Sequence, residues 1–251
     1  MRILFVNPNT TEGFTVKIQD TIDHYASPST IAIARNPVAG PSSIQCVYDE
    51  LLSSAPTLEL VIPLLDSFDG FVIACFSDHP VVYALREITN KPVLGIAEAS
   101  VYFASMLGRK FSIVTTNEAW EPLLGDAVRH YGLDERCASV RSTRLPVLAL
   151  EHSSPEETYQ IILQTARTAV EQDDAEVICL GCAGMSGFDK RLESDLQIPV
   201  VDGVVAALKI MEGLTGYQLK TSKKRVYMYP SRTELKNLPS VFDLPYQDDP
   251  D

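Results

Sequence analysis

The chain carries nearly the same pattern twice. Arg2-Ile-Leu-Phe-Val-Asn-Pro aligns with Lys110-Phe-Ser-Ile-Val-Thr-Thr at an offset of 110 − 2 = 108. Cys75 aligns with Cys182 at 182 − 75 = 107, and Pro92-Val-Leu-Gly with Pro199-Val-Val-Asp at 199 − 92 = 107. Three separate anchors at nearly one offset mark a domain-scale duplication, because solenoid units repeat every 20–50 residues or so. Two similar halves are therefore expected to face each other.

Each half alternates apolar β-rich runs with helical patterns. In the first, RILFVNPNT reads as a buried strand ending in a loop, residues 12–26 as a helix and TIAIAR as a second strand. SIQCVYDELLSSAPTLELVIPLLDSF reads as helical with a break near Pro56, and GFVIACFSD and KPVLGIAEA as strands either side of a short helix. In the second half RKFSIVTTN, SVRSTRLP, EVICLGCAGM and IPVVDG are the strand candidates. A helix is expected over 155–172, after Ser153 and Ser154, with Pro155 in its first turn. Continuous Val/Ile/Leu runs suit strands covered on both faces, hence parallel sheets with flanking helices. The expectation is α/β, with two pseudo-symmetric parallel-sheet domains and the active site in the cleft between them. Residues 1–98 with about 204–220 would form one half, 99–203 the other, and 221–251 a C-terminal extension.

Charge narrows the partners. A formal net charge of −12 over 251 residues disfavours nucleic acid and anionic membrane surfaces. No window approaches the roughly 20 apolar residues of a membrane span, and the N-terminus lacks a secretory signal pattern. A cytoplasmic protein is expected, with its five cysteines as thiols. Cys179 and Cys182 fit CxxC as a bare pattern, but Cys179 lies inside an apolar strand run and should point away from the strand end. No second Cys/His pair completes a zinc site. Cys46, Cys137 and Cys179 are read as small buried hydrophobes.

In open α/β sheets ligands gather beyond the carboxyl ends of strands. Four such ends are Asn7-Pro8-Asn9-Thr10, Cys75-Phe76-Ser77-Asp78, Thr115-Thr116-Asn117 and Gly181-Cys182-Ala183-Gly184. Facing halves would put one cysteine on each side of a cleft, a geometry that suits removing a proton from one face of a carbon and returning one to the other. Both cysteines precede expected helix starts, so helix N-termini are expected to lower their pKa. Asp78 is read as the cap of the following helix, and His79 as an exposed loop residue, with the pocket mouth as the alternative. Pro8 and Gly184 are read as turn-shaping residues.

The stretches ILFVNPNTT, IACFSDHP, PVLGIAEAS, KFSIVTTN, LGCAGM and IPVVDGVVAAL resemble the Asp/Glu/hydantoin racemase superfamily, in its hydantoin/allantoin branch. The resemblance runs from residue 3 to about 214. It implies a homo-oligomeric racemase that uses neither pyridoxal phosphate nor metal, acts on a small ureide or hydantoin ring, and uses Cys75 and Cys182 as its acid/base pair. It assigns substrate holding to Asn9, Thr10, Ser77, Thr115, Thr116 and the backbone at Gly181 and Ala183. Phe76 is read as a core residue or a pocket wall. Glu98 is read as an acceptor for a ring N–H, or else as a cap or loop residue. The rival readings are an aspartate/glutamate-type racemase, a related isomerase, and a ureide-binding protein without turnover. No pocket arginine is evident to neutralise the two carboxylates of an acidic amino acid. The extension is read as a solvated tail, with Tyr227, Tyr229, Phe242 and Tyr246 as possible packing residues against a neighbouring subunit.

Overall fold

A computed structural model describes residues 1–246. The first half forms one parallel sheet from β1 (Arg2–Val6), β2 (Ile31–Arg35), β3 (Gly70–Ile73) and β4 (Val93–Gly95), in the order β2-β1-β3-β4. The second half forms another from β5 (Phe111–Thr115), β6 (Cys137–Ser142), β7 (Val177–Leu180) and β8 (Val200–Asp202), in the order β6-β5-β7-β8. The two orders are one permutation. Ile3 stands opposite Gly70 in the first sheet and Phe111 opposite Val177 in the second. Those positions differ by 111 − 3 = 108 and 177 − 70 = 107, the offsets of the sequence repeat. The expected α/β architecture is present.

Strand burial follows position in the sheet. β3, β5 and β7 are buried along their whole length, as internal parallel strands with helices on both faces must be. β6, at a sheet edge, is half-buried throughout, which explains its mixed sequence.

The helices are α1 (Glu12–Tyr25), α2 (Val47–Val61), α3 (Pro80–Ile88), α4 (Ile96–Ser105), α5 (Trp120–His130), α6 (Ala149–His152), α7 (Pro155–Asp173), α8 (Asp189–Leu196) and α9 (Gly203–Gly216). The break expected near Pro56 is absent, and α2 runs through it. An interior proline costs a helix about 3 kcal/mol. Here buried Ser53, Thr57 and Val61, spaced four apart on one face, hold the helix down on both sides of it. The chain tightens only afterwards, in a 3₁₀ turn over Ile62–Ser67.

The halves are joined through a shared core. α4 packs on α9 and reaches β5, β7 and β8 of the second sheet, while α9 reaches α1, β3 and β4 of the first. The approach is close: a Cβ at Gly203 would stand 3.0 Å from the Ile96 carbonyl oxygen. Ile96, Ala99, Val204 and Leu208 are fully buried there. Full burial of a large aliphatic side chain stabilises by about 1.5–3 kcal/mol, so this contact holds the two strand-end surfaces in fixed register.

The extension is not a solvated tail up to residue 246. Thr221 pairs through its N–H with the Asn90 carbonyl and through its hydroxyl with that of Lys91. Lys223 Nζ donates to the carbonyls of Arg86, Glu87 and Thr89, capping the C-terminal end of α3. Arg86 lies over the Tyr227 ring, and Phe242 and Tyr246 line a groove with Leu58 and Ile62. The aromatics thus pack on their own chain. Asp248, Asp249 and Asp251, at the end of the extension, lie outside the described residues. Among the described residues no helix is long and apolar enough to cross a membrane.

Candidate active site

The ends of β1, β3, β5 and β7 meet at one pocket, and Cys75 and Cys182 both line it. Cys75 follows β3 and Cys182 follows β7, at matched positions in the two sheets. Asn7, Asn9 and Thr116 supply polar groups. Phe14, Ile44, Trp120 and Val147 form apolar walls, and Ala74, Phe76, Gly181, Ala183 and Gly184 complete the lining.

The loop after β1 is organised by its own side chains. Asn7 Nδ2 donates to Asn9 Oδ1, to the Thr11 carbonyl and to Thr15 Oγ1. Asn9 Oδ1 also accepts from the Thr11 N–H at 2.9 Å. With its oxygen engaged twice, Asn9 is left to present its amide nitrogen, a donor. On the other side, Gly181 lets β7 pass β5 closely. A Cβ there would come within 2.7 Å of the Val114 carbonyl oxygen, so only glycine brings Cys182 to this position.

Burial dominates the electrostatics of both thiols, against the expectation that helix N-termini would lower them. Cys75 is pushed well above the ordinary thiol range by burial, and further by the negative charge of Glu50, while a hydrogen bond from Ser77 pulls back. Cys182 is pushed up to about 11 by burial, moderated by the Gly184 backbone N–H and by Lys17. The helix starts are misplaced for the expected effect. Cys75 is separated from α3 by a loop whose cap is His79, and Cys182 precedes only a three-residue 3₁₀ turn, Ala183–Met185.

Asp78 is not a helix cap. Its carboxylate accepts from Tyr83 Oη at 2.6 Å and Tyr131 Oη at 3.1 Å and pairs with His130 Nδ1 at 2.7 Å, tying the Cys75 loop to α5. His79 is the cap, and it is fully buried rather than exposed. Its Nδ1 accepts from the Val81 N–H, so Nε2 carries the proton and donates to Ser53 Oγ at 3.0 Å. Ser53 in turn donates to the Glu50 carbonyl at 2.8 Å. Burial pushes the His79 imidazole down to about 4, so it stays neutral.

Of the residues singled out from sequence, Asn9, Phe76, Thr116, Gly181 and Ala183 line the pocket with the two cysteines. Thr10 instead bonds the Pro41 carbonyl, and Thr115 the Gly181 carbonyl. Ser77 stands behind Cys75, with its Oγ 3.3 Å from the sulfur. Glu98 is held by Arg86 at 2.6 Å, away from the pocket lining. Cys179 lies in the core, Cys137 is half-buried against Ser139, and Cys46 is exposed rather than buried. The sequence reading names Asn7 only as part of its strand end, and it misses Ile44, Val147, Lys17 and the aromatic pair Phe14 and Trp120. The last two had a signal. They open α1 and α5 at an offset of 120 − 14 = 106, so extending the repeat by one helix finds them.

The Asp/Glu/Hydantoin racemase family profile matches residues 3–211. The chain belongs to that family. It is 43% identical over 235 residues to a hydantoin racemase of Pseudomonas sp. (strain NS671), covering 93% of this chain and 94% of that protein. Its fold superposes with a TM-score of 0.91 on the allantoin racemase of Pseudomonas fluorescens, at 38% identity, covering 94% of this chain and 100% of that one. The allantoin racemase of Klebsiella pneumoniae superposes equally well, at 34% identity, covering 98% of this chain and 99% of that one. Within this racemase family the matched region takes in both sheets and both cysteine loops, and the C-terminal strap lies beyond it.

Proposed function

We propose that the chain racemises the stereocentre of a hydantoin-type ring, allantoin or another 5-substituted hydantoin, with Cys75 and Cys182 as the two acid/base residues. The observation that carries this reading is that the two cysteines line one pocket from equivalent strand ends of duplicated halves. One cysteine, as thiolate, takes the proton from one face of the ring carbon. The charge passes into the adjacent carbonyl as an enolate, and the other cysteine, as thiol, returns a proton to the opposite face. The two thiols exchange roles for the reverse direction. Asn9 and backbone amides are suited to hold the enolate oxygen, because preorganised donors act strongly where water is excluded.

The lining supports a neutral ring over an acidic amino acid. Among the described residues the lining contains no Lys, Arg, Asp or Glu, and the ammonium of Lys17, which acts on Cys182, is itself bonded to the Gly184 carbonyl; an amino dicarboxylate would bring two charges whose desolvation must be offset. The mechanism needs reduced thiols, which fits the cytoplasm. An exposed apolar strip on α2, with Tyr48, Leu51 and Leu52, supports a homo-oligomer in which a second copy covers it.

The test is circular dichroism of single enantiomers of allantoin and 5-substituted hydantoins. The signal should decay to zero with wild type and stay constant with Cys75→Ser or Cys182→Ser. Each variant should still exchange the ring proton for deuterium from one enantiomer only. Decay that survives either substitution removes the two-base scheme, and a flat wild-type trace across the panel removes the substrate class.

A further inference from the structure

Each cysteine loop is bonded to the first helix of the opposite half. The Cys182 loop is held through Gly184, whose carbonyl accepts from Lys17 Nζ of α1 at 2.5 Å. The Cys75 loop is held through Asp78, whose carboxylate reaches His130, the last residue of α5, and Tyr131 just beyond it. α1 follows β1 and α5 follows β5, and those strands are equivalent in the two sheets. The braces are reciprocal in place but differ in chemistry, a lysine on a carbonyl against a carboxylate with three donors.

The donors on Asp78 come from both halves. His130 Nδ1 stands 2.7 Å from Oδ2, and because a carboxylate only accepts, that nitrogen carries the proton. Tyr131 Oη donates to Oδ1 at 3.1 Å, and Tyr83 Oη, from α3 of the same half as Asp78, donates to it at 2.6 Å. Burial, and then the charge of Asp78, pushes both phenols well above their ordinary range, so both remain donors. The His130 ring is stacked against those of Tyr83 and Tyr131, with centroids 5.7 and 6.2 Å away, which fixes its plane. Hydrogen bonds to an ionised acceptor are roughly twice as strong as neutral ones, so this is a firm junction.

None of these four residues lines the pocket. α5 does so at its other end, where its first residue, Trp120, forms a wall. One carboxylate thus couples the loop that carries Cys75 to the helix that carries Trp120.

We propose that Asp78 is a positioning residue for the reaction: through His130 and Tyr131 it sets Cys75 against the Trp120 wall of the opposite half and keeps the pocket closed around the ring. Proton transfer to or from a ring carbon requires the sulfur at contact distance, and a misplacement of about 1 Å can cost on the order of 100-fold in rate. The bond from Tyr83 fixes the loop only to its own half, so it contributes little to this setting even though it is the shortest of the three.

This inference rests on the acid/base role proposed for Cys75, and one of its two readouts is independent of that role. Trp120 is the only tryptophan in the chain and is 5% exposed, so acrylamide quenching of its fluorescence reads the wall directly. Quenching, kcat and KM would be compared in wild type, Asp78→Ala, Tyr83→Phe and the double variant His130→Phe/Tyr131→Phe, which keeps the rings and removes only the bonds across the halves. Asp78→Ala and the double variant should each raise the quenching constant at least about twofold and lower kcat about tenfold, with KM within about threefold. Tyr83→Phe should leave all three within about twofold. Losses in Tyr83→Phe equal to those of the double variant would show that the loop needs fixing only to its own half, and they overturn the proposal. An unchanged quenching constant or an unchanged kcat in the double variant overturns it too. A wild type inactive across the hydantoin panel removes the racemase reading instead, and the quenching series still decides whether the bonds to α5 hold the wall.

Discussion

Lys17 Nζ, from α1 of the first half, donates to the Gly184 carbonyl of the second half at 2.5 Å, two residues beyond Cys182. The same ammonium group favours the Cys182 thiolate, so one lysine both joins the halves at the pocket and serves one of its two thiols. Burial lowers the Lys17 pKa from its ordinary value, and the charges of Cys182 and Asp202 act against that fall. Replacing Lys17 with methionine should raise the Cys182 pKa by about one unit, which slows its alkylation roughly tenfold at fixed pH below the midpoint. Lys17→Arg should keep most of the rate. An unchanged Cys182 rate in Lys17→Met would show that the Gly184 N–H alone moderates this thiol.

Gly181→Ala should cost about 1–3 kcal/mol as an overpacking change, because the new Cβ meets backbone at Val114 and Thr115 and the buried, β-branched Ile113 side chain, none of which is the free end of a flexible chain. The strand end must shift, and Cys182 shifts with it. Racemisation should fall further than urea stability alone predicts. Full activity at native stability would show that the strand end has room to move.

Stability should depend on pH through His79. Its folded pKa, near 4, lies below the unfolded value of about 6.5, so the unfolded chain binds more protons between these limits. The contribution is fully present above about pH 6.5 and is lost as pH falls towards 4, up to about 3 kcal/mol. Urea midpoints at pH 7 and pH 5 should differ in wild type, and the difference should shrink in His79→Asn. Equal pH dependence in both proteins would assign the effect to other groups.

Lys223→Met should release the strap from the end of α3, removing three donations to helix-terminal carbonyls. Such contacts near a helix C-terminus contribute about 0.3–1 kcal/mol. Limited proteolysis should cut the segment after Thr221 faster than in wild type, while cysteine alkylation rates stay the same. Unchanged cleavage would place the strap's anchorage in the Arg86–Tyr227 contact and the Phe242 groove instead.

Much of the fold and part of the site were legible from sequence for one reason: they repeat. Two strand-end cysteines at matched offsets point to one pocket because equivalent strands of equivalent sheets end at equivalent places. Where the halves diverged, that logic failed. Gly95 ends β4, but its counterpart Asp202 caps α9 through the N–H groups of Val204 and Val205 and holds Ser186 in the loop after Cys182. His79 reads as a loop residue because nothing within a few positions of it reveals that α2 covers it.

By itself the sequence pointed to two parallel-sheet halves and to matched cysteines at equivalent strand ends, and its motifs resemble the family to which the chain belongs. The halves and the matched cysteines follow from local patterning and from the repeat, which one chain displays in full; the order of strands within each sheet does not. Only the tertiary structure decided which charges stand beside each thiol, that α2 continues through Pro56, and that the C-terminal segment packs on its own chain. Those outcomes depend on contacts between residues tens to more than a hundred positions apart, such as Ser53 with His79, Lys17 with Gly184 and Lys223 with Arg86. Burial and partner charge set a thiol's acidity, and both come from the surrounding fold rather than from the residues next to it in sequence.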